Sequence, residues 1–330
     1  MLIGPRFDAV QLACNGPSAF GVRLLTRQDV GLTESDAGSL CHAVATSSVI
    51  VPEQLAANCQ KTLERRQWLD RLPKIVQELE GRWSLSLEPP FDGPSCAWVA
   101  PALARGTSSV VLKVGMPHFE AEDEVAALRL LDGDPTVRVL AWDEEANAML
   151  LERCRPGTVL RRLPEPEQDV VIARMLRRFW RRLPQGHGFH PLEAMTAVWS
   201  AEARADSDRW PDVGLVEEGL RLFHELPRTA SHHVLLATDL HAGSVLAAER
   251  EPWLVIDPKP FVGDPAYDAT QHLLNCPGRM QRDPLGTIRR FADLLGLDED
   301  RVRLWMFARY TAEGRDSWAE GTVALARRLM

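Results

Sequence analysis

Leu235-Leu236-Ala237-Thr238-Asp239-Leu240-His241-Ala242-Gly243-Ser244-Val245-Leu246, followed closely by Trp253-Leu254-Val255-Ile256-Asp257-Pro258-Lys259, decides how the rest of the chain is read. Each stretch is an apolar run ending in a carboxylate: Asp239 enters a turn of small and polar residues, and Asp257 comes directly before proline. Two aspartates delivered by neighbouring strand ends suit phosphoryl transfer from ATP to a hydroxyl, whose transition state asks mainly for positioning and charge neutralisation. In that division of labour Asp239 orients the attacking hydroxyl and accepts its proton, while Asp257 holds Mg²⁺ against the phosphates. An isolated aspartate at a strand end is ordinarily a turn former or a helix cap, so the pair gains its meaning from what surrounds it.

Gly263-Asp264-Pro265-Ala266-Tyr267-Asp268 continues the pattern. Together the three segments resemble the aminoglycoside and hydroxyurea phosphotransferase family, whose loop reads roughly His-Gly-Asp-Leu-His-x-x-Asn before Ile-Asp-Pro-Lys. That loop is a relative of the protein-kinase catalytic loop and its metal-binding aspartate. The resemblance covers about residues 50 to 315 and implies an α+β, two-lobed, protein-kinase-like fold of the aminoglycoside phosphotransferase type. Two positions depart from the family. Ala237 and Thr238 stand where it has His and Gly, and Ser244 stands where it has the metal-ligating Asn. A serine hydroxyl is a known Mg²⁺ ligand but is shorter than asparagine, and Mg²⁺ tolerates a water filling the gap. Asp257 and Ser244 are therefore the expected metal ligands, with activity weakened rather than lost. The resemblance makes Asp264 a brace for the catalytic loop, and Asp264-Pro265 also forms a good N-cap and N1 pair. Lys259 and His241 come with the motif and receive no assigned chemistry.

Upstream, Ser109-Val110-Val111-Leu112-Lys113-Val114 is a β-branched strand with one lysine, followed by Glu120, Glu122, Asp123 and Glu124. Such a lysine either faces solvent on an edge strand or, with the motif downstream, reaches the ATP phosphates while a helix glutamate steadies it. Glu124 is the chosen partner because Val125, Leu128 and Leu130 follow it as in the family helix; Glu120 is the alternative. Trp83–Leu87 and Phe91–Ala100 read as strands joined by a Gly turn, but Pro94 and the single Gly93 make a poor phosphate loop. Val137–Trp142 and Ala148–Cys154 form a hairpin pattern that leads into a Pro156-Gly157 break. In kinase-like folds such a hinge offers backbone groups to adenine, which assigns Leu151, Glu152 and Cys154 to the nucleotide.

These signals divide the chain into an extension (1–48) without sustained period, an N-lobe with the nucleotide sheet (49–155) and a helical C-lobe with catalytic loop and acceptor site (156–330). Helices are expected at 166–183, 191–208, 213–226, 266–275, 285–295, 298–313 and 316–329. Of the 330 residues 45% are hydrophobic and 25% charged, ordinary for a globular protein large enough for two lobes. No apolar run approaches a membrane span, and the N-terminus lacks a basic region followed by an apolar core, so a cytoplasmic address and a monomer are expected. The six cysteines show no C-x-x-C pairing and are expected to be free thiols in or near cores. A net charge of −8 disfavours nucleic acid and suits a cationic substrate.

The expected function is ATP- and Mg²⁺-dependent phosphorylation of a small-molecule hydroxyl. The Ile-Asp-Pro-Lys form resembles the streptomycin 6-phosphotransferase branch and so implies an aminoglycoside acceptor. Glu202, Asp206, Asp208, Glu313, Asp316 and Glu320 are the carboxylates available to hold a polycationic sugar. Two alternatives stay open: a kinase of another sugar or amino alcohol, and a catalytically weakened pseudokinase in which Ala237 and Ser244 record lost chemistry.

Overall fold

A computed structural model describes residues 49–105, 108–313, 318 and 320–330. The expectation of a loosely packed extension over residues 1–48 lies outside the described residues.

Helix α1 (Glu53–Cys59) and α2 (Leu63–Arg82) precede the strands β1 (Leu85–Leu87), β2 (Ala97–Ala104) and β3 (Ser108–Gly115). Thr62 caps α2 by accepting the Arg65 N–H at 3.2 Å. The α2 residues Trp68, Leu72, Val76 and Leu79, three or four apart, form one buried stripe against Trp98, Ala100, Val110 and Leu112 of the sheet. Helix α3 (Glu124–Leu131) and strands β4 (Val139–Asp143) and β5 (Ala148–Glu152) complete the lobe. The sheet is antiparallel in the order β1-β2-β3-β5-β4. Strand β3 is therefore interior, flanked by β2 and β5, and the edge-strand reading of Lys113 fails. Its alternation sends Val110, Leu112 and Val114 toward α2 and Lys113 to the opposite face. Strand β2 starts later than the sequence pattern indicates: residues 91–96 stay outside the ladder and touch it through the Phe91 N–H to the Val99 carbonyl.

Past the hinge come α4 (Glu165–Phe179), α5 (Leu192–Ala205) and α6 (Val213–Glu225), then short strands β6 (Val234–Leu236), β7 (Val245–Leu246), β8 (Leu254–Val255) and β9 (Phe261–Gly263). Helices α7 (Pro265–Leu274), α8 (Pro277–Arg282), α9 (Pro284–Leu295), α10 (Glu299–Ala312) and α11 (Glu320–Arg327) follow. Phe179, Phe223, Tyr267, Phe291 and Trp305 are the large anchors of this second core. Helix α9 carries its start and stop in sequence: Asp283 caps it, Pro284 takes N1, and Gly296 ends it at φ +70°. Helix α8 is absent from the sequence expectation. Pro277-Gly278 reads as a break, yet Pro277 occupies N1, where its missing N–H costs nothing.

Strands β6 and β9 pair antiparallel, as do β7 and β8, so the loop from Ala237 to Ser244 leaves one pair and enters the other. The two lobes are stitched beside it: Val137 N–H donates to the Val255 carbonyl at 3.1 Å, and Arg250 reaches Glu152 at 2.8 Å and the Gly133 carbonyl at 2.9 Å. Of the cysteines, Cys59 and Cys276 are buried free thiols and Cys154 a half-buried one. Cys96 departs from the free-thiol expectation, being disulfide-bonded. Among the described residues no helix is long and apolar enough to cross a membrane.

Between α4, α7 and α8 lies a buried charged knot. Asp169 accepts Arg279 at 2.6 and 2.7 Å and shares a 2.7 Å hydrogen bond with His272 Nε2. Burial alone would raise the Asp169 carboxyl, but Arg279 and His272 hold it below the usual range. Burial would lower His272, and Asp169 outweighs it and raises it. Asp169 thus contributes stability above its ordinary pKa of about 3.9, lost as pH falls through the depressed folded value. His272 contributes below its ordinary value of about 6.5, and that contribution is lost as pH rises through the raised folded value. Asp169→Asn takes the carboxylate from His272 and leaves Arg279 with Glu165 alone, and is expected to destabilise by about 3 kcal/mol. Melting curves from acid to alkaline pH check this: the gap between parent and variant should be widest between about pH 4 and 6.5 and narrow on both sides. A gap independent of pH would contradict it.

Candidate active site

The loop that presents Asp239 is held by the end of α7. Asp268 accepts the main-chain N–H groups of Ala237 at 2.9 Å and Thr238 at 2.8 Å, and the Trp180 indole at 2.9 Å. Burial raises its carboxyl to about 6 against those three donors. Asp264, the brace expected from the resemblance, does something else. It caps α7 through the Ala266 N–H and accepts Arg301 and Trp305 at 2.6 Å each, fastening α7 to α10. The loop brace is Asp268, one helical turn further on.

Inside the loop, His241 Nδ1 accepts the Gly243 N–H at 2.9 Å, which leaves its proton on Nε2, 4.0 Å from Asp239 Oδ1. Burial and the nearby Arg161 push His241 down to about 4, so the ring is neutral. A Cβ at position 243 would sit 2.7 Å from His241 Cε1, which is why glycine stands there. Ser244 Oγ accepts the His241 N–H at 3.1 Å and lies 3.0 Å from the His241 carbonyl and 3.3 Å from that of Asp239. Its hydrogen and one lone pair serve the loop, and one lone pair is left over.

Lys113 meets both oxygens of Glu124 at 2.6 and 2.7 Å and Asp257 Oδ1 at 2.5 Å. Lys259 reaches the same Asp257 oxygen at 2.5 Å. Both lysines are buried, whereas the Asp257 side chain is 46% exposed. Burial alone would raise the Asp257 carboxyl; the two ammonium groups outweigh it and hold it well below the usual carboxylate range. Asp239 goes the other way, raised to about 7 by burial and by the charges of Asp257 and Glu120, against Lys259 and Arg309.

Asp239 lines a cleft that Glu120, Trp199, Tyr267, Arg309 and Glu313 also line. Glu120 is thus not the partner of Lys113; it accepts the Trp199 indole at 3.3 Å and turns toward this cleft. Of the six acidic candidates, Glu313 lines it, Asp206 pairs with Arg209, and Asp316 lies outside the described residues. At the hinge, Leu151 and Glu152 pair with Val111 and Val110 of β3, and the chain leaves the ladder at Arg153 and Cys154. Burial pushes the Cys154 thiol up to about 11. The Glu152 carboxylate is engaged by Arg250 and by the Arg138 N–H, and the Glu152 N–H donates to the Arg138 carbonyl at 2.9 Å.

A family model described as aminoglycoside/hydroxyurea antibiotic resistance kinase matches residues 82–321. A streptomycin 6-kinase of Streptomyces glaucescens is 32% identical over 298 residues, 86% of this chain and 95% of the relative. A hydroxyurea phosphotransferase of Kitasatospora aureofaciens is 33% identical over 270 residues, 80% of this chain and 78% of the relative. Among solved structures, choline kinase from Streptococcus pneumoniae superposes with a TM-score of 0.55 at 14% identity, over 78% of this chain and 97% of that one. An ethanolamine kinase of Plasmodium vivax gives 0.52 at 12% identity over 82% and 87%. These two establish the kinase-like fold.

Thr238, where the resembled family has glycine, sits at φ +46°, a left-handed conformation that a β-branched residue adopts only under compulsion. The Thr238 hydroxyl donates to the Lys259 carbonyl at 2.5 Å, and its N–H is held by Asp268. Thr238→Val keeps the strain and the shape but orphans the buried carbonyl, an expected loss of about 1–3 kcal/mol. Thr238→Gly loses the same bond but relieves about 1–3 kcal/mol of strain and should stay within about 1 kcal/mol of the parent. Chemical denaturation of the three proteins checks the order; a valine variant as stable as the glycine one would contradict it.

Proposed function

The chain belongs to the aminoglycoside/hydroxyurea antibiotic resistance kinases and is a phosphotransferase with an alcohol group as acceptor; from that premise we propose that it transfers the γ-phosphoryl group of ATP, with Mg²⁺, to a hydroxyl of an aminoglycoside such as streptomycin. The observation that carries this reading is the opposed tuning of two neighbouring carboxylates that feel each other's charge, Asp239 raised to about 7 and Asp257 depressed by two lysines.

A carboxylate near neutrality is basic enough to take a hydroxyl proton at the working pH, which suits Asp239 to the acceptor side. Asp257 is suited to the metal. Its carboxylate is half-exposed, Ser244 on the neighbouring loop has a spare lone pair, and Mg²⁺ needs only one or two protein ligands beside phosphates and waters. The residues present therefore fit the ion, and none of the described His, Cys, Asp and Glu side chains forms a three-ligand cage for another kind of metal. When bound, the ion supplies charge neutralisation to the phosphoryl oxygens. Lys113, steadied by Glu124, addresses the phosphates, and backbone groups at Leu151, Glu152 and Cys154 take the adenine. On the acceptor side, Glu120 favours a cation, while Glu313 is paired with Arg309 in the same lining. Streptomycin 6-kinase is the name of one relative, which supports the acceptor named here.

Asp239→Ala is expected to lower turnover by about 10² or more and to leave ATP affinity nearly unchanged. The assay is ATP consumption across a panel of streptomycin, other aminoglycosides, hydroxyurea, sugars and amino alcohols. A variant that keeps most of its turnover overturns the assignment of the base. Parent protein that binds ATP yet turns over none of the panel supports the pseudokinase alternative.

Ser244→Asn is expected to raise turnover or lower the Mg²⁺ requirement, since the longer amide reaches the ion directly. Titrating Mg²⁺ against rate for both forms decides it. Unchanged rate and half-saturation, with Asp257→Ala inactive, would place position 244 outside the metal shell and leave it a loop brace.

A further inference from the structure

Gln271 follows Asp268 on α7 by three residues, so the two side chains share a helix face. Asp268 grips the backbone of the catalytic loop; Gln271 reaches the carboxylate that the loop presents. Gln271 Nε2 lies 2.5 Å from Asp239 Oδ1, and its residue is 7% exposed. On the other side, Arg309 Nη2 lies 2.8 Å from Gln271 Oε1.

The two contacts fix the amide in one orientation. A guanidinium has donors and no acceptor, so the Gln271 carbonyl must face Arg309 and its NH₂ must face Asp239. Arg309 cannot follow a reorienting amide, because it is itself tied down. It donates to Glu313 at 2.7 and 3.0 Å and to Thr270 at 2.8 Å, with the rings of Tyr267 and Trp199 5.0 and 5.6 Å away. The remaining candidate for holding Asp239 is His241, whose Nε2 at 4.0 Å is beyond hydrogen-bond reach. A carboxylate turns easily about its terminal torsion, and a base that must meet a hydroxyl in one geometry loses rate when it turns.

We propose that Gln271 is a positioning residue: its amide, set by Arg309, holds Oδ1 of Asp239 and presents Oδ2 to the acceptor hydroxyl. This rests on the reading of Asp239 as the base. Gln271 itself forms and breaks no bond in the reaction.

The test compares Gln271→Leu, Gln271→Glu and Asp239→Ala in the full chain. Steady-state transfer from ATP and Mg²⁺ to streptomycin is measured, or to water if streptomycin is not accepted, beside melting temperature. Gln271→Glu is the informative variant. Its carboxylate still accepts from Arg309, so the tether to α10 is kept, but it sets a second carboxylate against Asp239 where the amide donor stood. Both Gln271 variants are expected to lose about tenfold or more in kcat, the scale of a displaced catalytic group, with KM for ATP within about twofold and Gln271→Glu melting close to the parent. If Gln271→Leu does not fold, Gln271→Glu decides alone. Full activity of Gln271→Glu, whatever Gln271→Leu does, overturns the proposal, since the residue then acts only through Arg309. A fall in kcat matched by an equal rise in KM for ATP also overturns it, as general damage. Turnover retained by Asp239→Ala is a different failure: it removes the base itself, and the proposal with it.

Discussion

One oxygen of Asp257 is shared by two ammonium groups, from Lys113 in β3 and from Lys259 two residues along the chain. Burying that much charge is costly unless every member is paired, and the set closes on itself through Glu124. Lys113 comes from the sheet lobe and Asp257 from the helical lobe, so the lobes meet through this cluster as well as through Arg250. The cluster also sets the character of its neighbour. Asp257 has two cations in hydrogen-bond contact and stays ionised; Asp239 has an amide contact and a like charge nearby, and rises to about 7. Two neighbouring carboxylates with opposite tuning can take different parts in one reaction.

Much of this was legible in the sequence because it is local. The apolar runs into Asp239 and Asp257 are strand ends, the α2 stripe has helical spacing, and the alternation of β3 turns Lys113 away from Val110 and Leu112. The polar supports are not local. Asp268 grips amides 30 and 31 residues earlier, and Glu120 turns toward Trp199, 79 residues on, so neighbouring sequence cannot tell them from ordinary surface carboxylates. One signal was there to be read. Trp305-Met306-Phe307-Ala308-Arg309-Tyr310 is a helix buried all round, and a lone arginine in it must find buried acceptors. Those acceptors are Gln271, Thr270 and Glu313, which lead straight to the cleft. Asp264 misled for the converse reason: its motif position promised a loop contact, but Arg301 and Trp305 claim its free oxygen.

The substitution at Thr238 fits the same logic. A left-handed threonine persists only where surrounding contacts over-determine the backbone, and here Asp268 and the Lys259 carbonyl do so from two sides. The hydroxyl that glycine would lack ties the base-bearing loop to the segment that follows Asp257. The loop thus exchanges the conformational ease of glycine for a cross-link between the turns that carry the two working carboxylates.

Helix α7 is where these constraints converge. Its first residue is capped by Asp264, which anchors it to α10; Asp268 holds the loop backbone; Gln271 holds the carboxylate. Helix α10 in turn contributes Arg309, and the residue after it, Glu313, both lining the acceptor cleft. The cleft wall that carries Arg309 and Glu313 and the frame that holds Asp239 are therefore one pair of packed helices. Arg309 is bonded to Gln271, Thr270 and Glu313 at once, so a shift of Arg309 or Glu313 is felt at Gln271 through its hydrogen bond. Glu120 and Trp199, bonded to each other, belong to the same frame: Arg309 lies 5.6 Å from the Trp199 ring, and the charge of Glu120 helps to raise Asp239.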